Sequence, residues 1–507
     1  MPSARCGRTW GPLGRRFGAH VVDKVGPEDE RRLAEALAAT LAEAQEALPA
    51  AGPEAVAAIR RRYRRRRRRR TGLASLAAAV LVLVVTLAGA GLIPGGGRFA
   101  TPPPAGDAAT LIRVWAITPP SQDSALRRLV QRYNSGTSGI RVDLTTFGNE
   151  EYKERLRSIG DDPNAPDVFV SWGGASLTRL ARAGRLLDLT EPLRQSPGVV
   201  ERFLPTALAG GAVDGRQYGL PMRGTHPVVL FYHRGVFDRA GLRPPRSYAD
   251  LISLVDRFSA EGIVPIALGG AQGWTELMYV MYLAERIGGP GVTADIVAGR
   301  PDAWTKPAVL EALRRARQLA ERGAFGDDFA SIGYDDGGAG RLLATGRAAM
   351  HLMGTWEYPT QLARNPDLVL DGDLGWVPFP VVEGGAGNPA DLVGVPTQYF
   401  SITAGTRHPE AAIEFVLAVA GDAYLDDLVA EGEVPPVTDA ARRLRGTAHA
   451  EFATSISELV ARAPSYSLAW DQALDPETAT VLNANLRRLF RSELTAEQFA
   501  AAMTHPD

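Results

Sequence analysis

Cysteine is almost absent from this chain, since Cys6 is the only one in 507 residues. The chain therefore has no internal disulfide and no metal site built from cysteine. Six of the seven histidines follow residue 93, and they are scattered without the spacing that metal ligands need. We expect no bound metal and no cofactor.

Motifs of catalysis and nucleotide binding are missing as well. The sequence has no G-x-S-x-G, no H-E-x-x-H, no Walker loop and no G-x-G-x-x-G after a strand. Asp335 and Asp336 lie in a glycine-rich loop, but without the spacing of an EF-hand. These absences favour a protein that is not an enzyme.

The net charge of −1 is small, but the charges are unevenly distributed. Residues 1–72 carry 17 Arg and Lys against 8 Asp and Glu, which leaves 39 against 49 for the rest of the chain. An acidic globular part argues against nucleic-acid binding there. Residues 60–70 hold ten arginines in eleven positions, a pattern typical of a nucleic-acid-binding arm or of the cytoplasmic flank of a membrane span.

The uncharged run at residues 73–93 favours the second interpretation. Its 21 residues are enough to cross a bilayer as a helix, and the arginines before it place residues 1–72 in the cytoplasm. Residues 88–90, Ala-Gly-Ala, would also suit signal cleavage. The long preceding region favours a retained single-pass anchor over a secreted, cleaved form. Pro and Gly make residues 94–107 a linker.

Beyond the linker, strands alternate with helices. The pattern predicts strands at 111–116, 140–147 and 167–171, and helices at 121–133 and 149–159. Such alternation indicates an α/β protein with a mostly parallel sheet.

Residues 218–270 organise the rest of the sequence. They predict a strand at 228–232, a helix at 247–259 that Ser247 caps, and a strand at 264–268. We expect a right-handed crossover between the two strands, ending in the loop Gly269–Gly270. Loops of this kind are where α/β proteins place ligands.

Four motifs carry a family resemblance. They are Tyr-Gly-Leu-Pro at 218–221, an apolar strand that ends in Tyr232-His233 where the family commonly has Tyr-Asn, the glycine and proline pattern of 262–270, and Pro-Asp-Val-x-Val-x-Trp at 166–172. From about Thr110 to its end, the chain resembles the extracellular solute-binding proteins of carbohydrate ABC importers, family 1, the maltose-binding-protein-like group.

The resemblance implies a two-lobe periplasmic-binding-protein type II fold, here preceded by the single transmembrane helix. The expected domains are 1–72 cytoplasmic, 73–93 span or signal anchor, 94–107 linker and 108–507 solute-binding, with lobe 1 at about 108–222 and 396–434 and lobe 2 at about 223–395 and 435–507. The chain is expected to cross between lobes near 221–225, 385–396 and 434–436.

The implied function is extracellular capture of a sugar or oligosaccharide between two closing lobes. The expected partners are the carbohydrate ligand, the permease subunits of an ABC importer, and the cell membrane through residues 73–93. Two other functional hypotheses stay open. One is a membrane-anchored carbohydrate sensor that signals through residues 1–72, and the other is a glycoside-processing enzyme, since glycosidase carboxylates have no fixed sequence spacing.

Sugars present apolar C–H faces and a rim of hydroxyls, so their sites need flat aromatic rings and planar polar groups. Tryptophans at strand ends and loop junctions are the first candidates, although core packing is the alternative for each. The resemblance implies that Trp356 and Trp470 lie where related proteins stack sugar rings. The aromatic candidates are Trp115, Trp172, Trp274, Trp356 and Trp470.

The polar candidates lie at a helix start, near the crossings and beside Trp470. Each is about as well suited to a helix cap or an ion pair as to a ligand contact, and Asn149 in particular is a natural N-cap. Arg223 is also a candidate bridge between the lobes. The polar candidates are Asn149, Glu150, Arg223, Gln398, Tyr399 and Asp471.

Overall fold

The structure, a computed structural model, describes residues 109–118, 124–136, 139–160, 162 and 164–504. The predicted cytoplasmic segment, span and linker, residues 1–107, lie outside these described residues. Within the described part, no helix combines the length and the apolar character needed to cross a bilayer.

Strands are short and fall along the whole described region. Their bounds are β1 Thr110–Ile117, β2 Ile140–Phe147, β3 Val168–Ser171, β4 Ala212–Val213, β5 Arg216–Gln217, β6 Leu220–Pro221, β7 His226–His233, β8 Val264–Ala267, β9 Ala348–Gly354, β10 Leu374–Val377, β11 Leu392–Val395, β12 Tyr399–Ile402 and β13 Tyr466–Leu468.

Helices cover the sheets and fill the C-terminal part. Their bounds are α1 Ala125–Ser135, α2 Asn149–Ser158, α3 Gly174–Arg182, α4 Thr190–Arg194, α5 Pro197–Val200, α6 Pro205–Ala209, α7 Arg234–Ala240, α8 Tyr248–Ala260, α9 Trp274–Gly288, α10 Gly291–Val297, α11 Pro307–Glu321, α12 Gly338–Ala344, α13 Glu357–Arg364, α14 Pro366–Leu370, α15 Pro409–Leu417, α16 Asp422–Ala430, α17 Ala440–Leu444, α18 Ala450–Arg462, α19 Trp470–Ala473, α20 Pro476–Phe490 and α21 Ala496–Thr504. Single 3₁₀ turns occupy Ala303–Thr305, Phe329–Ser331 and Ala418–Ala420.

Lobe 1 is built on a five-stranded sheet of order β2-β1-β3-β12-β6. β1 runs parallel to β2 and to β3, while β12 runs antiparallel to β3 and β6. Its core joins side chains from β1, β2, β3, α1 and α3 with those of α15 and α16, which come from much later in the chain. Lobe 1 is therefore discontinuous in sequence.

Lobe 2 is built on a six-stranded sheet of order β13-β11-β7-β9-β8, with β10 paired to β7. Its core is larger, and helix α9 lies at its centre, with every residue from Trp274 to Arg286 buried. Apart from Thr275, Glu276, Glu285 and Arg286, the side chains of α9 are apolar or aromatic, as expected for a helix that other elements cover on each face. Helices α11 and α20 provide part of that cover.

The chain passes three times between the lobes. Residues 222–225 lead from β6 to β7, residues 396–398 lead from β11 to β12, and residues 431–445 lead from α16 toward α18. All three connections lie side by side, because Met222 N–H donates to the Gln398 carbonyl and Thr225 N–H donates to the Val434 carbonyl. They form the hinge of the molecule.

Most predicted elements at the start of the fold are confirmed, and the strand at 140–147 has the predicted bounds. Ser247 caps α8 as expected: its side chain accepts from Asp250 N–H, and the Asp250 carboxylate accepts from Ser247 N–H. This reciprocal pair satisfies two backbone donors that the helix leaves free.

The predicted crossover between the strands at 228–232 and 264–268 is wrong. β9 lies between β7 and β8, pairing antiparallel with β7 and parallel with β8, so β7 and β8 run in opposite directions. Hydrophobic periodicity shows that a strand is buried, but not which strand lies beside it. The loop Gly269–Gly270 packs against Phe329 and Tyr334 instead of lining a ligand site.

Candidate ligand-binding site

A cavity of about 200 Å³ lies between the two lobes. Lobe 1 contributes the ends of β1 and β3 and the start of α2, and lobe 2 contributes α9, α13, β11 and the start of α19. The side chains that shape it are Ile117, Asn149, Lys153 and Trp172 from lobe 1, Arg223 and Gln398 from the hinge, and His226, Trp274, Met278, Met281, Tyr334, Asp335, Trp356, Thr360, Arg364 and Asp471 from lobe 2.

Aromatic rings form most of one wall. Trp274 meets Tyr334 edge-on with ring centres 5.2 Å apart, and it meets Trp356 at 6.2 Å with a tilt of 53°. Trp172 lines the cavity from lobe 1 and packs edge-on against Tyr152 at 5.7 Å. Such packing against neighbouring rings fixes the orientation of each ring.

Trp356 contacts the cores of both lobes, which places its indole at the centre of the cleft. The ring lies directly over the backbone of Gly354, where any Cβ would overlap it. The spacing Gly-Thr-Trp at the end of β9 is therefore a steric requirement. The Thr355 hydroxyl donates to the Thr225 carbonyl at 3.2 Å, which ties the turn to the hinge.

Hydrogen bonds among buried polar side chains hold Tyr334 in place beside the cavity. The Tyr334 hydroxyl donates to Glu357 Oε2 at 2.8 Å, and Gln361 Nε2 donates to Glu357 Oε1 at 2.6 Å. Glu357 is fully buried at the start of α13. Because the Tyr334 hydroxyl and the Gln361 amide both bond to Glu357, Tyr334 holds one orientation toward the cavity.

Two residues that line this cavity each carry a buried polar atom without a hydrogen-bond partner: Trp274 Nε1, and His226 Nε2, which lies 3.8 Å from Glu433 Oε2. Leaving a buried donor or acceptor unpaired costs about 1–3 kcal/mol, so both favour a ligand that supplies the missing hydrogen bonds. Burial lowers the pKa of His226 to about 4, which keeps its ring neutral at physiological pH. A neutral imidazole and an indole N–H are suited to bind hydroxyl groups.

Lys153 and Asp471 close one end of the cavity from opposite lobes. Lys153 Nζ lies 2.9 Å from Asp471 Oδ2, and also 5.8 Å from the centre of the Trp274 ring. Burial lowers the pKa of Lys153, but Asp471 and Glu150 outweigh it and hold that pKa above its ordinary value. The lobes therefore meet through an intact ion pair.

A second contact between the lobes lies at the start of α2. The Asp335 carboxylate of lobe 2 lies beside the backbone of Gly148 and Asn149 in lobe 1. Helix N-termini favour negative charge because their first N–H groups have no partner within the helix. Burial, and next the charge of Glu150, nevertheless raise the pKa of Asp335 above its ordinary value.

The hinge carries a buried ion pair between Arg223 and Glu433. The Arg223 Nε lies 2.9 Å from Glu433 Oε1, and Gly224 N–H donates to Glu433 Oε2 at 2.9 Å. Thr397, in the second crossing, donates to the Arg223 carbonyl at 2.8 Å. Burial raises the pKa of Glu433, but Arg223 outweighs it and holds that pKa below its ordinary value.

The structure brings together seven of the eleven residues proposed from the sequence. The residues that line the cavity are Asn149, Trp172, Arg223, Trp274, Trp356, Gln398 and Asp471. Asn149 is not the N-cap of α2, because Gly148 occupies that position.

Four proposed residues lie elsewhere. Trp470 is fully buried in lobe 2, where its Nε1 donates to Thr293 at 2.9 Å. Trp115 is buried in lobe 1 against Phe147, with ring centres 5.3 Å apart.

Tyr399 is buried in lobe 1 and donates to the Ala207 carbonyl at 2.9 Å. Glu150 is half-exposed beside the cavity and pairs with Lys153 at 3.4 Å. The structure thus assigns packing to the three rings, which sequence position alone did not separate from the cleft rings.

Sequence reasoning missed Lys153, His226, Tyr334 and Glu433. Lys153 follows Asn149 by one helical turn, so both face the same side of α2, and this was the available signal. His226 and Glu433 gave none, because their importance comes from burial next to distant parts of the chain. Among the residues described, no group of three or more His, Cys, Asp or Glu is placed to hold a metal ion.

Comparison with known proteins places these observations in a family. The profile of bacterial extracellular solute-binding proteins matches residues 118–425. An uncharacterized ABC transporter extracellular-binding protein of Pyrococcus horikoshii is 24% identical over 294 residues, 57% of this chain and 64% of that protein. The match thus spans less than two thirds of that relative. The multiple sugar-binding protein of Streptococcus mutans is 26% identical over 299 residues, 58% of this chain and 67% of that protein.

Solved structures share the fold. One, from work on xylan utilization by Caldanaerobius polysaccharolyticus, is 22% identical with a TM-score of 0.71 and covers 78% of this chain and 99% of its own. A chitin oligosaccharide binding protein is 22% identical with a TM-score of 0.68 and covers 79% and 98%. These similarities confirm the α/β two-lobe fold.

The hinge pair generates a stability prediction. Glu433→Gln removes the ion-pair partner that lies closest to Arg223, whose side chain is only 18% exposed, so we expect a loss of about 3 kcal/mol in the free energy of unfolding, measured with urea at pH 6. Glu497→Gln is the matched control, because it removes an exposed ion pair with Arg314 on lobe 2 and is expected to change the free energy of unfolding little. Equal stability of the two variants would contradict the assigned role of Glu433.

The buried Glu276, in the first turn of α9, generates a pH prediction. Burial raises its pKa to about 7, so the folded state keeps a proton that the unfolded state releases between about pH 4.5 and 7. Stability therefore falls as pH rises through that window. We expect Glu276→Gln to exceed the wild type by on the order of 2 kcal/mol at pH 8 and to match it near pH 4.5. The exposed control Glu201→Gln is expected to change neither value; a wild-type-like pH profile for Glu276→Gln would refute this account.

Proposed function

Because the chain belongs to the family of bacterial extracellular solute-binding proteins, we propose that it binds a sugar or an oligosaccharide between its two lobes and delivers it to an ABC importer. Members of this family are binding proteins, so the chain is not an enzyme. Both relatives described above carry transport or sugar binding in their names, which supports the carbohydrate assignment.

The aromatic cavity is the observation on which the proposal depends most. Indole rings suit the C–H faces of a sugar, and Trp274 Nε1 and His226 Nε2, which have no hydrogen-bond partner, suit its hydroxyls. Asp335 and Asp471 add acceptors, while Arg364 and Lys153 add donors. A site with few, fixed polar groups rejects ligands that leave those groups unpaired.

Binding works by shifting a two-state equilibrium. A ligand that contacts Trp172 in lobe 1 and Trp356 in lobe 2 stabilises the closed arrangement relative to an open one. The hinge is suited to rotation of whole lobes, since the links between them along the described chain are two short connections and a longer one that contains α17. The membrane subunits of an importer then recognise the closed surface.

Loss of the central ring tests the proposal. We expect carbohydrates from a panel of mono- and oligosaccharides to raise the melting temperature of the full chain, purified in a polyoxyethylene detergent that carries no sugar headgroup. Trp356→Ala should weaken binding about tenfold or more and abolish most of that rise, because it removes a stacking surface.

Trp376→Ala is the matched control. Trp376 is another partly buried indole of lobe 2, packed against Phe452 and away from the cavity. We expect this variant to melt lower than the wild type but to keep its response to the sugar. A panel without any stabilising carbohydrate, or an unchanged response in Trp356→Ala, would contradict the proposal.

We also propose that residues 73–93 anchor the binding domain at the outer face of the cell membrane. The support is the uncharged run and the arginine cluster before it. The full chain is expected to stay in the membrane pellet after an alkaline carbonate wash, and deletion of residues 73–93 is expected to release it. A shortened, soluble product from the full chain would favour cleavage near residue 90 over anchoring.

A further inference from the structure

A second cavity of about 190 Å³ lies beside the ligand cavity, and it is also lined by both lobes. We call it the outer cavity, and the one described above the inner cavity. Four residues line both of them: Lys153, Trp172, Asp471 and Gln472. These side chains are therefore the wall that separates the two spaces.

The centre of this wall is the ion pair between Lys153 and Asp471. Gln472 Nε2 donates to the same Asp471 oxygen at 3.1 Å, so that oxygen is the meeting point of the wall. The Lys153 side chain is 19% exposed and reaches across the cleft from α2. The ion pair joins the lobes through side chains alone. The flexible side chain of Lys153 can therefore move away without any movement of α2.

The two cavities differ in chemistry. The inner cavity offers indole rings and the side chains of Met278 and Met281. The outer cavity is lined by polar groups that include Arg157, Thr480, Asn483 and Arg487. Asn483 Oδ1 is buried and has no hydrogen-bond partner, whereas Arg157 donates to the Thr480 hydroxyl and Arg487 donates to the Gln272 carbonyl.

From this arrangement we infer that the Lys153–Asp471 ion pair is a removable partition that sets the length of the ligand. With the pair intact, the inner cavity takes a single sugar unit. When the pair is displaced, the two cavities join, and the outer one takes a second, hydroxyl-rich unit of an oligosaccharide. This inference rests on the proposed function and adds a second subsite to it.

The exchange is chemically balanced, because no bond other than hydrogen bonds changes. A sugar hydroxyl that enters the wall donates to Asp471 Oδ2, while Lys153 Nζ keeps Glu150, 3.4 Å away, as its partner, so each charge stays paired. Trp172 lines both cavities and offers its ring to the sugar on either side. The wall thus becomes part of the longer site.

Lys153→Met tests the partition, because it keeps the stem and removes the charge. The probes are the one-unit to four-unit members of a linear sugar series, taken from whichever of the xylose, maltose or chitin series stabilises the wild type. We expect the ratio of the one-unit Kd to the three-unit Kd, measured by isothermal titration calorimetry on the full chain, to rise at least tenfold relative to the wild type. Asp471→Asn is expected to shift the ratio in the same direction.

Two further variants separate the partition from other effects. Thr480→Trp fills the outer cavity from α20, so it should bind the one-unit sugar within about twofold of the wild type and lose the preference for longer members. Lys306→Met is the matched control, since Lys306 pairs with Asp295 inside lobe 2 and away from the cleft. Its ratio is expected to equal that of the wild type.

The outcomes distinguish this inference from the proposed function. If Lys153→Met weakens every length equally, or if Thr480→Trp keeps the preference for longer sugars, the partition is wrong while carbohydrate binding stands. If no sugar of any length binds the wild type, the proposed function fails and the partition fails with it.

Discussion

The ion pair between Arg223 and Glu433 is the constraint on which the rest of the structure depends. Three stretches of chain must pass between the lobes, and their backbone groups are removed from water there. Arg223 lies in the first, Thr397 donates to its carbonyl from the second, and Glu433 lies in the third. One buried pair thus fixes all three connections at a single point. This pair therefore sets the register of the two lobes.

The register matters because the cavity has no single origin in the sequence. Trp172 comes from the end of β3, Trp274 from the start of α9 and Trp356 from the turn after β9. Their rings converge because these strand and helix ends of both lobes line the same cavity. The buried carboxylate of Glu357 fixes the orientation of the neighbouring Tyr334 ring. His226 Nε2 and Trp274 Nε1 have no hydrogen-bond partner, so the site combines fixed side chains with two unsatisfied polar atoms.

Sequence patterns predicted individual strands and helix caps, but they failed to predict which strands lie next to each other. The strand at 140–147 and the cap at Ser247 follow from periodicity and from side-chain chemistry within a few residues. The order of strands in lobe 2 depends on β9 entering between β7 and β8, which no local pattern encodes. The same limit applies to the tryptophans. Trp470 begins a short helix and Trp356 immediately precedes one, and only the packing of the whole lobe places the first in the core and the second in the cleft.

A crystal structure of the chain with a bound sugar tests the central claim most directly. The account predicts density for the sugar between the lobes, with ring carbons over the indole of Trp356 or Trp274 and a hydroxyl within about 3 Å of His226 Nε2. Density for the sugar on an outer surface, with water alone among these three side chains, would contradict it.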